Sequence, residues 1–254
     1  MTSDQLKRAV FYALTICVIC TRSTSAQGGP PMITDDPGTP GNGHFENNIA
    51  VMLELGQHQQ LWQIPDLDLN YGCGDHIQLN FETSLNILKR EDHGPIGGLG
   101  SASVAVKWRF LDQENAGVDM SIYPRIEWNT LQSSVRRGLA EDGTRLFLPM
   151  QIARKFGRID FDLELGSLLS TVGRSQWAYG IVGGTALMST TYLMAEIHGA
   201  SRTNFDRDEL TANFGIRQKI NAHLNLISSV GTDLRWSEGE RLPLIGYLGA
   251  QLEY

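Results

Sequence analysis

Asp160, Asp162 and Glu164, with Lys107 and Arg109, are the residues of this chain whose types and spacing best suit work on a charged or polar solute. A spacing of two puts side chains on one face of a strand. If their segments are extended, the carboxylates form an acidic stripe and the cations a basic one, and the two together make a constriction that sorts solutes by charge. The same side chains can instead pair with one another and hold a wall in shape, and spacing alone leaves both uses open. His76, Glu82, Arg125, Glu127, Glu196, His198 and Arg217 fall on the same polar faces and complete the set of candidate lumen-lining residues.

Other chemistries fit less well. His76, Glu196, His198 and His223 invite a metal or an acid-base site, but only Glu196 and His198 share a short spacing, so a histidine satisfied by polar neighbours is the simpler reading. No Gly-x-Ser-x-Gly elbow occurs, and none of the six histidines falls on an apolar strand face, where lipid-modifying barrels place theirs. Neither a catalytic residue nor a metal or cofactor site is expected. Asp35 and Asp36 precede Pro37-Gly38, and a turn accounts for them. A formal net charge of −7 excludes nucleic acid as the partner.

The elements that must position these residues show a two-residue period. In HIQLNFETSLNI, Ile77, Leu79, Phe81, Thr83, Leu85 and Ile87 share one face, and His76, Gln78, Asn80, Glu82, Ser84 and Asn86 the other. The pattern recurs from Phe45 to Leu55, around Leu67 to Tyr71, and through ASVAVKWRF. It continues at Val118–Trp128, Leu146–Ile152, Ile159–Leu169, Trp177–Leu187, Thr191–Gly199, Leu210–Gln218, Ala222–Val230 and Leu242–Tyr254. About twelve strands result, the even number of an up-and-down antiparallel barrel. Pro65 interrupts the second, and in the ninth Tyr192 and Met194 share the face of Glu196 and His198. Long connections, including Lys89–Gly98 and Asn129–Thr144, alternate with short ones, as transmembrane barrels require. Twelve tilted strands enclose a backbone diameter of roughly 24 Å, which side chains reduce to a narrow lumen.

Residues 1–26 read as a signal peptide, with Lys7 and Arg8 before the apolar run Ala9–Cys20 and an exit at Thr24-Ser25-Ala26. Residues 27–43, rich in glycine, proline and aspartate, read as a periplasmic lead-in, flexible or partly inserted, and residues 44–254 as the barrel. Removing the signal leaves Cys73 as a single cysteine, with no disulfide framework. Trp62, Trp128 and Trp177 fall at one set of strand ends and Tyr71, Trp108, Phe110 and Tyr254 at the other, as interfacial belts would.

The sequence stops on GYLGAQLEY, where Gly249, Leu252 and Tyr254 match the Gly-x-x-apolar-x-aromatic pattern of an assembly signal. A terminal strand of this kind offers an unpaired edge to the barrel-assembly machinery. TDDPGTPGNGHFENN and GGLGSASVAVKWRFL resemble the outer-membrane family of phenol meta-pathway degradation proteins. The resemblance is carried by Asp35, Asp36, Pro37, Gly43, Phe45 and Glu46, and by Gly98, Gly100, Lys107, Trp108, Arg109 and Phe110, with Ser101 where an aspartate is usual. It implies a barrel embedded in outer-membrane lipid that passes small hydrophobic or aromatic solutes, and it supplies no catalytic residues. The expectation is a conduit; a sealed structural barrel and, further off, a lipid-modifying enzyme or a periplasmic β-sandwich are the alternatives.

Overall fold

The computed structural model describes residues 28–205, 208–237 and 239–254, so the expected signal peptide lies outside the described residues. Thirteen strand segments follow in order: β1 (Phe45–Leu55), β2 (Gln59–Gly72), β3 (Ile77–Arg90), β4 (His93–Leu111), β5 (Asp119–Ile122), β6 (Arg125–Asn129), β7 (Thr144–Phe156), β8 (Ile159–Ser170), β9 (Gln176–Met188), β10 (Thr191–Arg202), β11 (Asp208–Lys219), β12 (Leu224–Arg235) and β13 (Leu244–Glu253). Two short helices, α1 (Gln113–Ala116) and α2 (Gln132–Arg137), sit in connections. The strands pair antiparallel with their sequence neighbours, except that β5 and β6 each pair with β4 and β7, and β1 pairs with β13 from Glu46↔Glu253 to Leu55↔Leu244. Phe45 and Tyr254 exchange backbone hydrogen bonds of 2.9 and 3.0 Å, so the ring is closed.

The expected single strand Val118–Trp128 is two segments. β5 and β6 both bridge β4 and β7, and Tyr123-Pro124 separates them. Proline has no N–H for the ladder, so the stave kinks there without leaving the wall, and the closed barrel has twelve staves. In β2 the register shifts between Gln63 and Asp66, where Pro65 breaks the ladder. The expected long connection Lys89–Gly98 is instead mostly strand: Leu88 pairs with Ile96 and Arg90 with His93, and only Glu91-Asp92 remain as a turn. The glycines at 94, 97, 98 and 100 weaken a strand; Gly97 and Gly98 stay in register against Ile87 and Asn86 of β3, while the register shifts around Gly94 and Gly100.

Burial is inverted relative to a soluble domain. On β3 the apolar Leu79, Phe81, Leu85 and Ile87 are exposed, while the polar Gln78, Asn80, Ser84 and Asn86 are buried. The same holds around the ring, with Val104, Val106, Leu163, Leu165, Phe214 and Leu248 all facing outward. That pattern has a physical cause only if lipid is the outer solvent, since apolar side chains gain nothing from facing water. Among the described residues no helix is long and apolar enough to cross a membrane.

One rim carries Phe45, Tyr254 and the short turns, including 157–158 and 189–190; here it is called the terminal rim. The other, the loop rim, carries the longer connections, notably 130–143 and 236–243. Aromatic side chains mark the terminal rim, where Phe45 and Tyr71 lie 4.8 Å apart and Trp108 and Phe110 5.7 Å apart between ring centroids. At the loop rim Trp177 and Trp236 are exposed.

Candidate functional site: the lumen and its lead-in

The lumen is occupied. Residues 28–43, expected as a periplasmic segment, lie against the inner wall, and charged side chains of the strands satisfy their irregular backbone. Glu196 on β10 accepts the amides of Ile33, at 3.1 Å, and Thr34. Lys107 on β4 donates to Asp36 O at 2.6 Å and pairs with Asp35 Oδ1 at 3.1 Å. Arg217 on β11 and Ser229 on β12 donate to the carbonyls of Pro30 and Pro31 at 3.2 and 2.9 Å. Buried backbone groups without secondary structure need such partners, so these side chains are what makes an unstructured segment tolerable here.

Packing fixes the same segment. Met32 inserts among Val182, Met194 and Tyr192. This explains why β10 carries apolar residues on its polar face: Tyr192 and Met194 are the seat of the lead-in, and the Tyr192 hydroxyl is tied to Asp160 at 2.8 Å. A Cβ at Gly180 would overlap Thr34 Oγ1, and one at Gly215 would overlap Met32 Cε. Both glycines make room for the lead-in's close approach.

From the loop rim a second segment turns inward. Leu139, which follows α2, is buried, and its carbonyl accepts Asn86 Nδ2 at 2.6 Å. Between the two insertions lie two cavities. The one beside the lead-in, about 310 Å3, touches Glu46, Asp68, Lys107, Tyr123, Arg125 and Tyr247; the one beneath the loop rim, about 410 Å3, touches Glu54, Ser103, Glu127, Leu139, Glu141 and Arg145. Asp66 and Glu82 line both. Glu82 pairs with Arg125 at 3.3 Å at this junction.

The residues singled out from the sequence separate into groups. Glu82, Lys107, Arg125, Glu127 and Arg217 border the cavities. Asp160, Asp162, Glu164 and Glu196 are buried in the wall behind them. Asp160 pairs with Lys155 at 2.9 Å, and Glu164 accepts from Gln151 at 2.9 Å. His198 is half-buried beside Glu196 on β10. Two residues differ from expectation. His76 is exposed in the turn before β3, and Arg109 reaches the terminal rim, where Asp112 lies 3.0 Å from Arg109 and 3.7 Å from His76. Strand parity placed both on the polar face, but their position at the strand end takes them out of the lumen. Of the assembly-signal residues, Gly249 lies opposite Ala50 and Leu252 opposite Asn47, while Tyr254 stacks on His223 at 5.7 Å.

Tyr123 belongs to the site although sequence reasoning did not select it. It is almost fully buried, accepts a bond from Gln78 at 3.3 Å, and has Lys107 Nζ and Arg125 Cζ at 4.6 and 5.3 Å from its ring centroid. Those distances are within cation–π range. Its parity with Ser121 and Arg125 was the available signal. Asp68, on the polar face of β2 as its parity predicts, accepts the side-chain amides of Asn48, Asn70 and Asn80 at 2.8, 2.8 and 2.7 Å. At the loop rim the exposed His58 bonds Glu91 at 3.1 Å, which raises the imidazole above its ordinary pKa. Among the described residues, no three His, Cys, Asp or Glu side chains converge in a way that would hold a metal ion.

No family model and no curated protein sequence matches this chain. Solved structures do. The COG4313 outer membrane channel from Pseudomonas putida F1 is 13% identical with a TM-score of 0.66, covering 90% of this chain and 100% of that one. The NanC porin is 10% identical with a TM-score of 0.60, covering 81% and 98%. The KdgM porin is 10% identical with a TM-score of 0.56, covering 82% and 99%. At such identities the likeness establishes the fold, that of an outer-membrane barrel.

Proposed function

We propose that this protein is an outer-membrane conduit for small solutes, exported by a cleaved signal peptide spanning residues 1–26 and inserted by the barrel-assembly machinery. The observation that carries the reading is a pair of polar cavities that share Asp66 and Glu82 as lining residues inside a closed barrel with an apolar exterior. A wall built only for shape would pair its carboxylates. Among the described residues, the carboxylates of Glu54 and Asp66 make no ion pair and no hydrogen bond, and both face cavity space. Water or solute is their natural partner.

Catalysis forms no part of this reading, which assigns the lumen charges to sorting solutes. The resemblance to phenol meta-pathway degradation proteins supports small hydrophobic or aromatic molecules as cargo, and Tyr123, Tyr247, Met52 and Ile245 give the inner cavity surfaces for an aromatic body. A sealed barrel is the second reading, favoured by the insertions of residues 28–43 and Leu139 from opposite rims. Conductance of the refolded protein across a planar bilayer decides between them: steps of current altered by Glu82→Gln support the conduit, and a silent bilayer supports the sealed barrel.

A further inference from the structure

The docked lead-in contains a defect. Asp162 is only 1% exposed, and neither of its carboxyl oxygens has a hydrogen-bond partner. The charges acting most strongly on it are carboxylates, Asp36 of the lead-in first and Asp160 of its own strand second. Its register neighbour on β9 is Val182, which forms one side of the Met32 seat. Thr34 Oγ1, also fully buried, is a second polar atom without a partner. A buried carboxyl with nothing to bond destabilises whatever state buries it, whether it is charged or neutral. Withdrawal of the lead-in would return both groups to water.

Against this cost stand the contacts that hold the segment: Lys107 to Asp35, Glu196 to the amides of Ile33 and Thr34, and the Met32 seat. The segment joins the wall through Gly41 and Gly43, whose φ values of +89 and +76° are open to glycine and strained for other residues. We propose that the lead-in is a displaceable stopper of the lumen, with Asp162 biasing it toward release and Lys107 and Glu196 biasing it toward the docked state. A two-state element with opposed biases can be moved by modest changes in either. This inference rests on the conduit reading.

The test uses the full chain carrying Cys73→Ser, with Met32→Cys and Met194→Cys to join the stopper to its seat. Oxidation should lower conductance about tenfold or more, and reductant should restore it. Current that is identical in the oxidised and reduced protein overturns the stopper and leaves the conduit standing. Labelling of Met32→Cys alone by a membrane-impermeant maleimide, in the same Cys73→Ser protein folded in detergent micelles, gives a readout independent of current. Asp162→Leu should slow it and Lys107→Met should hasten it, each by about tenfold, the equivalent of a single hydrogen bond to a charged group. Labelling unchanged or hastened by Asp162→Leu overturns the role of Asp162. Labelling that shifts as expected while no variant passes current leaves the moving lead-in in place and removes the conduit reading instead.

Discussion

Thr34 Oγ1 occupies the space that a side chain at Gly180 would take. Thr34 can approach β9 this closely because Gly180 carries no Cβ, as Gly215 on β11 does for Met32. Gly180→Val should therefore push Thr34 and Ile33 off the Glu196 carboxylate while leaving the barrel closed. Limited proteolysis should then cut between residues 28 and 43 faster than in the parent, with unchanged heat-resistant migration of the barrel. Equal cleavage would mean that the close approach is not required for docking.

The assigned faces make a second prediction. Leu165 is 53% exposed on the outer surface, and Leu165→Arg should cost about 2–4 kcal/mol of folding free energy in lipid if it sits near the bilayer midplane. Glu82→Arg, on the inner face, should be tolerated better there, although it sets like charge against Arg125. Equilibrium unfolding in vesicles compares the two, and equal costs would place the face assignment in error.

At the junction of the cavities, Arg125 and Glu82 neutralise each other. Glu82→Gln leaves Arg125 as an uncompensated cation in the path, so cation permeability relative to anion should fall; Arg125→Gln should raise it. Reversal potentials under a salt gradient read both. Shifts in the same direction for the two variants would rule out the pair as the selecting element.

The closing pair predicts an assembly phenotype. Tyr254 exchanges backbone bonds with Phe45 and stacks on His223, and Tyr254→Asp loses the stack and places a charge at the headgroup region. Surface-exposed protein, measured by labelling of intact cells, should drop severely with accumulation in the periplasm. Normal surface levels would show that the terminal residue is not read.

The barrel itself was legible because alternation is a local property. Ile77 to Ile87 announces two faces with no knowledge of its partners, and the inverted burial follows once lipid is the outer solvent. The β5–β6 break was legible in part, since Pro124 is visible but its effect depends on neighbours that carry the stave onward. The contents of the lumen were not legible. Residues 28–43 have no period, and their seat is assembled from Val182, Met194, Glu196, Arg217 and Ser229 on four strands distant in sequence. The misfit of Tyr192 and Met194 on a polar face was the one visible trace of that seat. His76 and Arg109 show the converse limit: parity gives a face, but height along the barrel decides whether that face looks into the lumen or onto the rim.

The path of the lead-in also has a bearing on the order of assembly. The segment is tied covalently to β1, yet most of its receptor groups belong to β9–β12, late in the sequence and reached round the ring through β13, with Lys107 on β4 holding its aspartates. It acts as an internal tie across the barrel, joining the first strand made to the last third of the sheet. The Met32 seat and the Glu196, Arg217 and Ser229 contacts do not exist until those later strands have paired, so the segment cannot dock fully while most of the wall is built. Once seated, it resists ovalisation of the ring as a spoke does, and a local pull on residues 28–43 would be felt by β9–β12 before it reached the strand to which the segment is attached.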